Sequence, residues 1–262
     1  MRRIFLALLV LAIYLLPLST ACASPKAKKS LPLNSKIIAI DPGHGGYDPG
    51  TLWEDLYEKD INLIVARKVA DNLKKNGAQI ILTRDGDYNY ALPGMRGRQA
   101  KRYDLNQRIE IAKAHKADIL LTIHVNGSRK RGYEGAETFY HAKSTDGKIL
   151  ALAIQQELRS IPGMTQRIAK ITNCYMVRQT KIPAVLVEVG YLSNAHERKL
   201  LQEARYQELL AQKIAEAIIL YYNSPETIKS NMIHDTLANA NYVLRVMGYT
   251  ILGESEEQEL IE

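Results

Sequence analysis

The sequence predicts an α/β protein: a single three-layer domain in which a six-stranded, mostly parallel mixed sheet is flanked by helices. Two observations set the class. Short apolar runs of strand length alternate with longer stretches whose apolar residues recur at helical spacing. No internal repeat interrupts that alternation. A third observation places the chemistry. Ile38-Ala39-Ile40 runs into Asp41-Pro42-Gly43-His44-Gly45-Gly46, Ile119 to Ile123 ends in His124, and Ala184 to Val187 ends in Glu188. Open α/β sheets bind ligands beyond the carboxyl ends of their strands, so these three side chains are expected to share one site.

Taken in order, Met1-Arg2-Arg3, the apolar stretch Ile4 to Leu18 and the small residues up to Ser24 have the layout of an export signal. The apolar stretch is shorter than the roughly 20 residues of a spanning helix. Three attachments stay open: cleavage after Ala23, acylation of Cys22 in a lipobox-like Leu18-Ser19-Thr20-Ala21-Cys22, or an uncleaved anchor in the membrane. Residues 1–23 are assigned to export and 24–35 to a basic, Pro-containing linker. A strand is expected at 36–40 and a helix at 59–74, with Ile61, Ile64, Val65, Val69 and Leu73 on one stripe. Asn76-Gly77 closes that helix, and 78–83 is the next strand.

Arg84 to Asp104 reads as a long loop made basic by Arg96, Arg98, Lys101 and Arg102. Loops of that length in a compact domain tend to be functional. A helix at 105–115 and a strand at 117–123 follow, then a second basic loop with Arg129, Lys130 and Arg131. A strand at 136–140, a helix at 148–160 and strands near 175–178 and 184–189 complete the sheet. Asn194 is expected to cap a helix from about Ala195, and 206–222 is the last long helix, so the domain spans 36–223. Residues 224–262 read as a helical extension with an acidic end.

The formal charge of +7 favours anionic partners without naming one. Export speaks against nucleic acid. Two cysteines, Cys22 and Cys174, exclude a disulfide framework. Cys174 is read as a small buried strand residue.

His44, Glu58 and His124 make a His₂Glu set, a pattern of catalytic zinc that keeps one position for water. Glu54 in the same loop competes with Glu58, which opens the helix. Glu188 is the carboxylate placed to move protons. Other sites fail on inspection. Gly43-His44-Gly45-Gly46-Tyr47-Asp48 lacks the third glycine of a dinucleotide fingerprint, there is no G-x-S-x-G elbow, and His196-Glu197 is followed by Leu200 where H-E-x-x-H needs histidine. His115, His141 and His234 are read as surface residues.

Ile40 to Gly46, Glu58-Lys59-Asp60, Ile123-His124-Val125-Asn126, Gly135 to Tyr140 and Glu188 to Asn194 together resemble the zinc-dependent N-acetylmuramoyl-L-alanine amidases, in order over residues 36–222. The resemblance implies one Zn²⁺ on His44, Glu58 and His124, Glu188 as the catalytic carboxylate, and peptidoglycan as substrate. It leaves a role for a protein activator open. Asn126, Arg96, Arg98, Lys101, Arg102, Arg129 and Lys130 are the candidates to touch substrate. Two positions depart from the family pattern: Asp55-Leu56-Tyr57 stands where a glycine often precedes Glu-Lys-Asp, and Tyr191 replaces phenylalanine. The stretch from Tyr140 to Pro183 has no room for the inserted helix that gates some cell-division members. Leu92-Pro93-Gly94 through Arg108 is similar to the insertion of the sporulation branch, which prepares the spore cortex. That branch would place the enzyme between the forespore membranes. Two other classes stay in view, a wall-binding module without activity and a zinc endopeptidase cutting within the stem peptide.

Overall fold

The computed structural model describes residues 30–228; the export signal, most of the linker and the extension beyond 228, including His234, lie outside them. In chain order the strands are β1 (Ile37–Pro42), β2 (Leu52–Trp53), β3 (Leu56–Tyr57), β4 (Gln79–Leu82), β5 (Ile119–Asn126), β6 (Glu137–Tyr140), β7 (Lys170–Ile171) and β8 (Ala184–Tyr191). The helices are α1 (Glu58–Lys75), α2 (Gly97–Ala114), α3 (Thr145–Arg159), α4 (Tyr175–Gln179), α5 (Ala195–Gln202) and α6 (Ala204–Asn223). Six strands form one sheet in the order β4-β1-β5-β8-β6-β7, and β2 pairs with β3 in a separate hairpin. The first four sheet strands run parallel, while β6 opposes β8 and β7 follows β6. This is the three-layer α/β domain the sequence predicts.

Alternation along each strand divides the side chains between two cores. Ile38, Ile40, Leu121, Ile123, Val185 and Val187 face α1, α3 and α6. Ala39, Leu120, Ala184 and Leu186 face α2 and α4. The α1 stripe Ile61, Val65, Val69 and Leu73 is buried as expected. Each fully buried Val or Leu there contributes roughly 1.5–3 kcal/mol. Ile64, expected on the same stripe, is exposed. Asn194 caps α5 through hydrogen bonds from the His196 and Glu197 amides. Packing runs slightly wider than 36–223: Leu33 is fully buried, and so is nearly all of Ile228.

Three elements differ from expectation. Helix α2 begins at Gly97, eight residues before the predicted start, so Arg98, Lys101 and Arg102 are helical. Its buried positions are Ala100, Asp104, Arg108 and Ala112, and two charged residues on that stripe hide it from an apolar count. Residues 175–178 are helical, not extended, with neighbours Met176 and Val177 both buried. Cys174 accordingly precedes a helix and is half-buried. The sixth strand is instead β7, an exposed two-residue edge with no apolar signal.

Candidate metal centre

The site grows from the end of β1. Beyond Pro42 the chain turns through His44, Gly45 and Gly46 with φ of 62°, 129° and 57°. Such values suit glycine and are uncommon for a histidine. The sharp turn lets His44 meet Glu58, the first residue of α1, and His124, near the end of β5. His44 Nε2 lies 3.2 Å and His124 Nδ1 2.8 Å from the same Glu58 oxygen, Oε1. The two rings stand edge to face, 4.9 Å apart. One donor atom from each of the three residues falls within 4.8 Å of the others. Two imidazole nitrogens and a carboxylate oxygen converging in this way are a donor set that fits a divalent metal. Glu54, the competing carboxylate, is exposed and points toward Arg198.

Neighbours hold each donor. His44 Nδ1 faces Asp48 Oδ1 at 3.0 Å, leaving Nε2 for the centre. The other Glu58 oxygen accepts the Thr51 amide at 2.7 Å. Two glycines make room: a Cβ on Gly43 would stand 2.2 Å from the His124 ring, and one on Gly50 2.6 Å from Glu58. Burial pulls the His44 pKa down, but hydrogen bonds and charges from Asp48 and Glu58 outweigh it and raise it to about 9. Burial pushes Glu58 up, yet His124 and His44 hold its carboxyl well below the usual range.

Register supplies the next residue. His124 is paired with Glu188 on β8, and Glu188 with Glu137 on β6. Residues paired across strands share a sheet face, so the three form a row on the α2 side. Oε2 of Glu188 is out of solvent and has no hydrogen-bond partner among the described residues. Burial, opposed by His124 and reinforced by Glu58, pushes the Glu188 pKa to about 7. Glu137 is instead fully engaged by Arg167, Lys170 and the Tyr191 hydroxyl.

Asn126 follows a bulge after His124 and is half-buried. Arg96, Arg98, Arg102, Arg129 and Lys130 are exposed. Arg102 lies 4.2 Å over the Tyr175 ring, and Lys130 5.8 Å over Tyr133. Lys101 lies 3.5 Å from Asp48, the partner of His44. The hairpin brings the Trp53 ring to 5.2 Å from the Arg131 guanidinium and 4.7 Å from that of Arg198. Sequence reasoning missed Asp48, Arg84 and Arg108. Only Asp48 left a signal, a carboxylate four residues after His44. His115 and His196 are exposed, and His141 is half-exposed.

A mostly parallel α/β sheet with a two-histidine, one-carboxylate cluster at its carboxyl edge has the make-up of a metallohydrolase. Residues 38–220 match the family described as N-acetylmuramoyl-L-alanine amidase, and the chain belongs to it: it is an amide hydrolase of peptidoglycan. Among similar proteins is the germination-specific N-acetylmuramoyl-L-alanine amidase of Bacillus subtilis, 38% identical over 195 residues, 74% of this chain and 82% of that protein. The CwlD amidase of Clostridioides difficile, solved in complex with the GerS lipoprotein, is 36% identical with a TM-score of 0.69, covering 71% of this chain and 98% of that one. The catalytic domain of CwlV from Bacillus (Paenibacillus) polymyxa is 35% identical with a TM-score of 0.63, over 71% and 97%.

Proposed function

We propose that the chain is a zinc-dependent amidase that cuts the bond between the lactyl group of N-acetylmuramic acid and the L-alanine of the stem peptide. The observation that carries this reading is the seating of Glu58 between His44 and His124, with Glu188 one strand away in register with His124. Zn²⁺ held by His44, Glu58 and His124 would supply a Lewis acid for the scissile carbonyl and acidify water at neutral pH. Glu188 takes the proton of the attacking water and returns it to the L-alanine nitrogen as the amide breaks. A carboxyl whose pKa lies near 7 both accepts and releases a proton at modest cost, which suits it to the two steps. Stem peptides carry carboxylates, which Arg96, Arg98, Lys101, Arg102, Arg129 and Lys130 are the candidates to hold, with Asn126 a further candidate to touch substrate.

Similarity to the germination-specific amidase and to CwlD supports a spore-cortex role. The GerS lipoprotein in the CwlD complex supports a protein partner for this chain as well. Residues 1–23 would export the enzyme, and 24–35 would tether the 36–223 domain to the membrane where the N-terminus stays acylated at Cys22 or uncleaved. The test is digestion of peptidoglycan by the full chain, with and without added Zn²⁺, followed by mass spectrometry. Intact stem peptides with free L-alanine amino termini, released only with metal, are expected. Cuts within the stem would point to an endopeptidase, and binding without release to a wall-binding module.

A further inference from the structure

Helix α1, helix α2 and the loop 83–96 converge on one short piece of backbone. The carbonyls of Pro42, Gly43, His44, Gly45 and Gly46 each accept a hydrogen bond from a side chain. Arg84 Nε and Arg108 Nη1 donate to Pro42, at 2.8 and 2.9 Å. Arg84 Nη2 and Asn62 Nδ2 donate to Gly43, at 2.9 and 3.1 Å. Arg108 Nη2 donates to His44 at 2.7 Å, Asn89 Nδ2 to Gly45 at 3.2 Å and Lys59 Nζ to Gly46 at 3.0 Å. The Gly46 amide in turn donates to Asp87 at 2.8 Å. The β1 ladder ends at the Gly43 amide, and beyond it only Gly45 and Asp48 exchange backbone hydrogen bonds within the turn, so side chains supply much of what a sheet supplies elsewhere.

The donors are themselves fixed. Arg84 and Arg108 are each 1% exposed, among the largest side chains buried in the domain. Arg108 is held at its other corners by Asp41 and Asp104, both at 3.0 Å. Asp104 also receives the Tyr90 amide, tying the loop to α2. A guanidinium presents several donors in a rigid plane, and a backbone that bends through three positive-φ residues needs donors in fixed places. His44 gains no help from its own conformation, which lies in the left-handed region.

We propose that Arg84 and Arg108, with Asn89, are positioning residues for the metal: they hold His44 in its metal-competent place through the carbonyls of its turn. This rests on the metal reading given above. The two buried guanidiniums reach the turn only through its carbonyls, so their effect on the ion passes through the placing of His44. Partners that orient a ligand commonly change metal affinity by about 10–100-fold when altered.

The test measures Zn²⁺ affinity of the full chain by competition with a chelating dye. Arg108→Lys, Arg84→Lys and Asn89→Ala are compared with Leu73→Ala, a core change in α1 far along the helix from the turn. The arginine variants are expected to bind Zn²⁺ about 10–100-fold more weakly. Asn89→Ala, at a half-exposed residue, keeps its fold and should show the same sign with a smaller loss. In metal-free protein, exchange of the Gly45 and Gly46 amides should quicken in all three. Leu73→Ala, matched for melting temperature, should keep the parent affinity. Equal affinity in all three variants, or an equal loss in Leu73→Ala, overturns the proposal. A parent chain that binds no divalent metal overturns the metal reading itself and this proposal with it.

Discussion

Nδ1 of His44 lies 3.0 Å from Oδ1 of Asp48, four residues along the same turn, while its Nε2 faces Glu58 at 3.2 Å. A carboxylate on the far nitrogen fixes the tautomer and makes the ligand more basic. Asp48→Asn should therefore weaken metal binding by about 10–100-fold with the fold intact. Calorimetric titration with Zn²⁺ checks this, and an unchanged affinity would remove Asp48 from its supporting role.

In the metal-free chain a proton on His44 competes with the ion. Its folded pKa, about 9, exceeds the ordinary 6.5, so the protonated ring contributes stability that is complete below 6.5 and lost as pH climbs through about 9. A metal ion on Nε2 excludes that proton, and apparent affinity should improve up to about tenfold per pH unit in this window. The gap between melting temperatures with and without metal should widen from pH 6.5 to 9. A constant gap would contradict the assignment.

Glu188→Gln removes the proposed proton acceptor and leaves the three proposed ligands untouched. Turnover is expected to fall by about 10²–10⁴-fold with Zn²⁺ affinity retained. As a base Glu188 must be deprotonated, so kcat/KM should drop on the acid side, with the limb at or below about 7 because a nearby cation lowers the value further. Full turnover in the variant would reassign the base.

Close packing makes Gly43 a sharp probe. Its Cβ would meet the His124 ring at 2.2 Å, and Gly43→Ala must displace the ligand or the strand end. A loss of metal binding with about 1–3 kcal/mol of destabilisation is expected. Gly132→Ala, where a Cβ meets nothing within 4 Å, is the control and should change stability by less than about 0.5 kcal/mol. Chemical denaturation of the two proteins separates the cases.

Asp41 and Arg108 form an ion pair at 3.0 Å, each 1% exposed. Asp41→Ala would strand the guanidinium and should cost about 3–5 kcal/mol in urea unfolding. Burial pushes the Asp41 carboxyl up, but Arg108, Thr83 and Thr122 outweigh it and hold it below 3.8. Its contribution is thus present above pH 3.8 and lost as pH falls through the lower folded value. The variant should show a flatter acid-side stability curve than the parent.

What was legible in the sequence follows from where polarity coincides with structure. His44, His124 and Glu188 stood out because each closes an apolar strand, and strand ends in this fold point at one another. Glu58 followed from its place at the head of a clear helical stripe. Arg84 and Arg108 were invisible for the opposite reason. They are charged residues in buried positions, so a reading that equates charge with solvent placed Arg84 rightly in a loop but passed over its burial, and started α2 after its first two turns. The edge strand β7 was missed because both its residues are exposed, and Met176-Val177 passed for a strand because two adjacent apolar residues fit either period.

Trp53 is the chain's single tryptophan, and its ring, on the hairpin that leads into Glu58, lies near two guanidinium groups. Its ultraviolet emission therefore comes from one known spot, on the strand separated by four residues from the helix that Glu58 opens. Any event that draws Arg131 or Arg198 off that ring, whether a wall fragment settling in or a neighbouring protein pulling on the loop, would change the colour and brightness of that emission without any label being added.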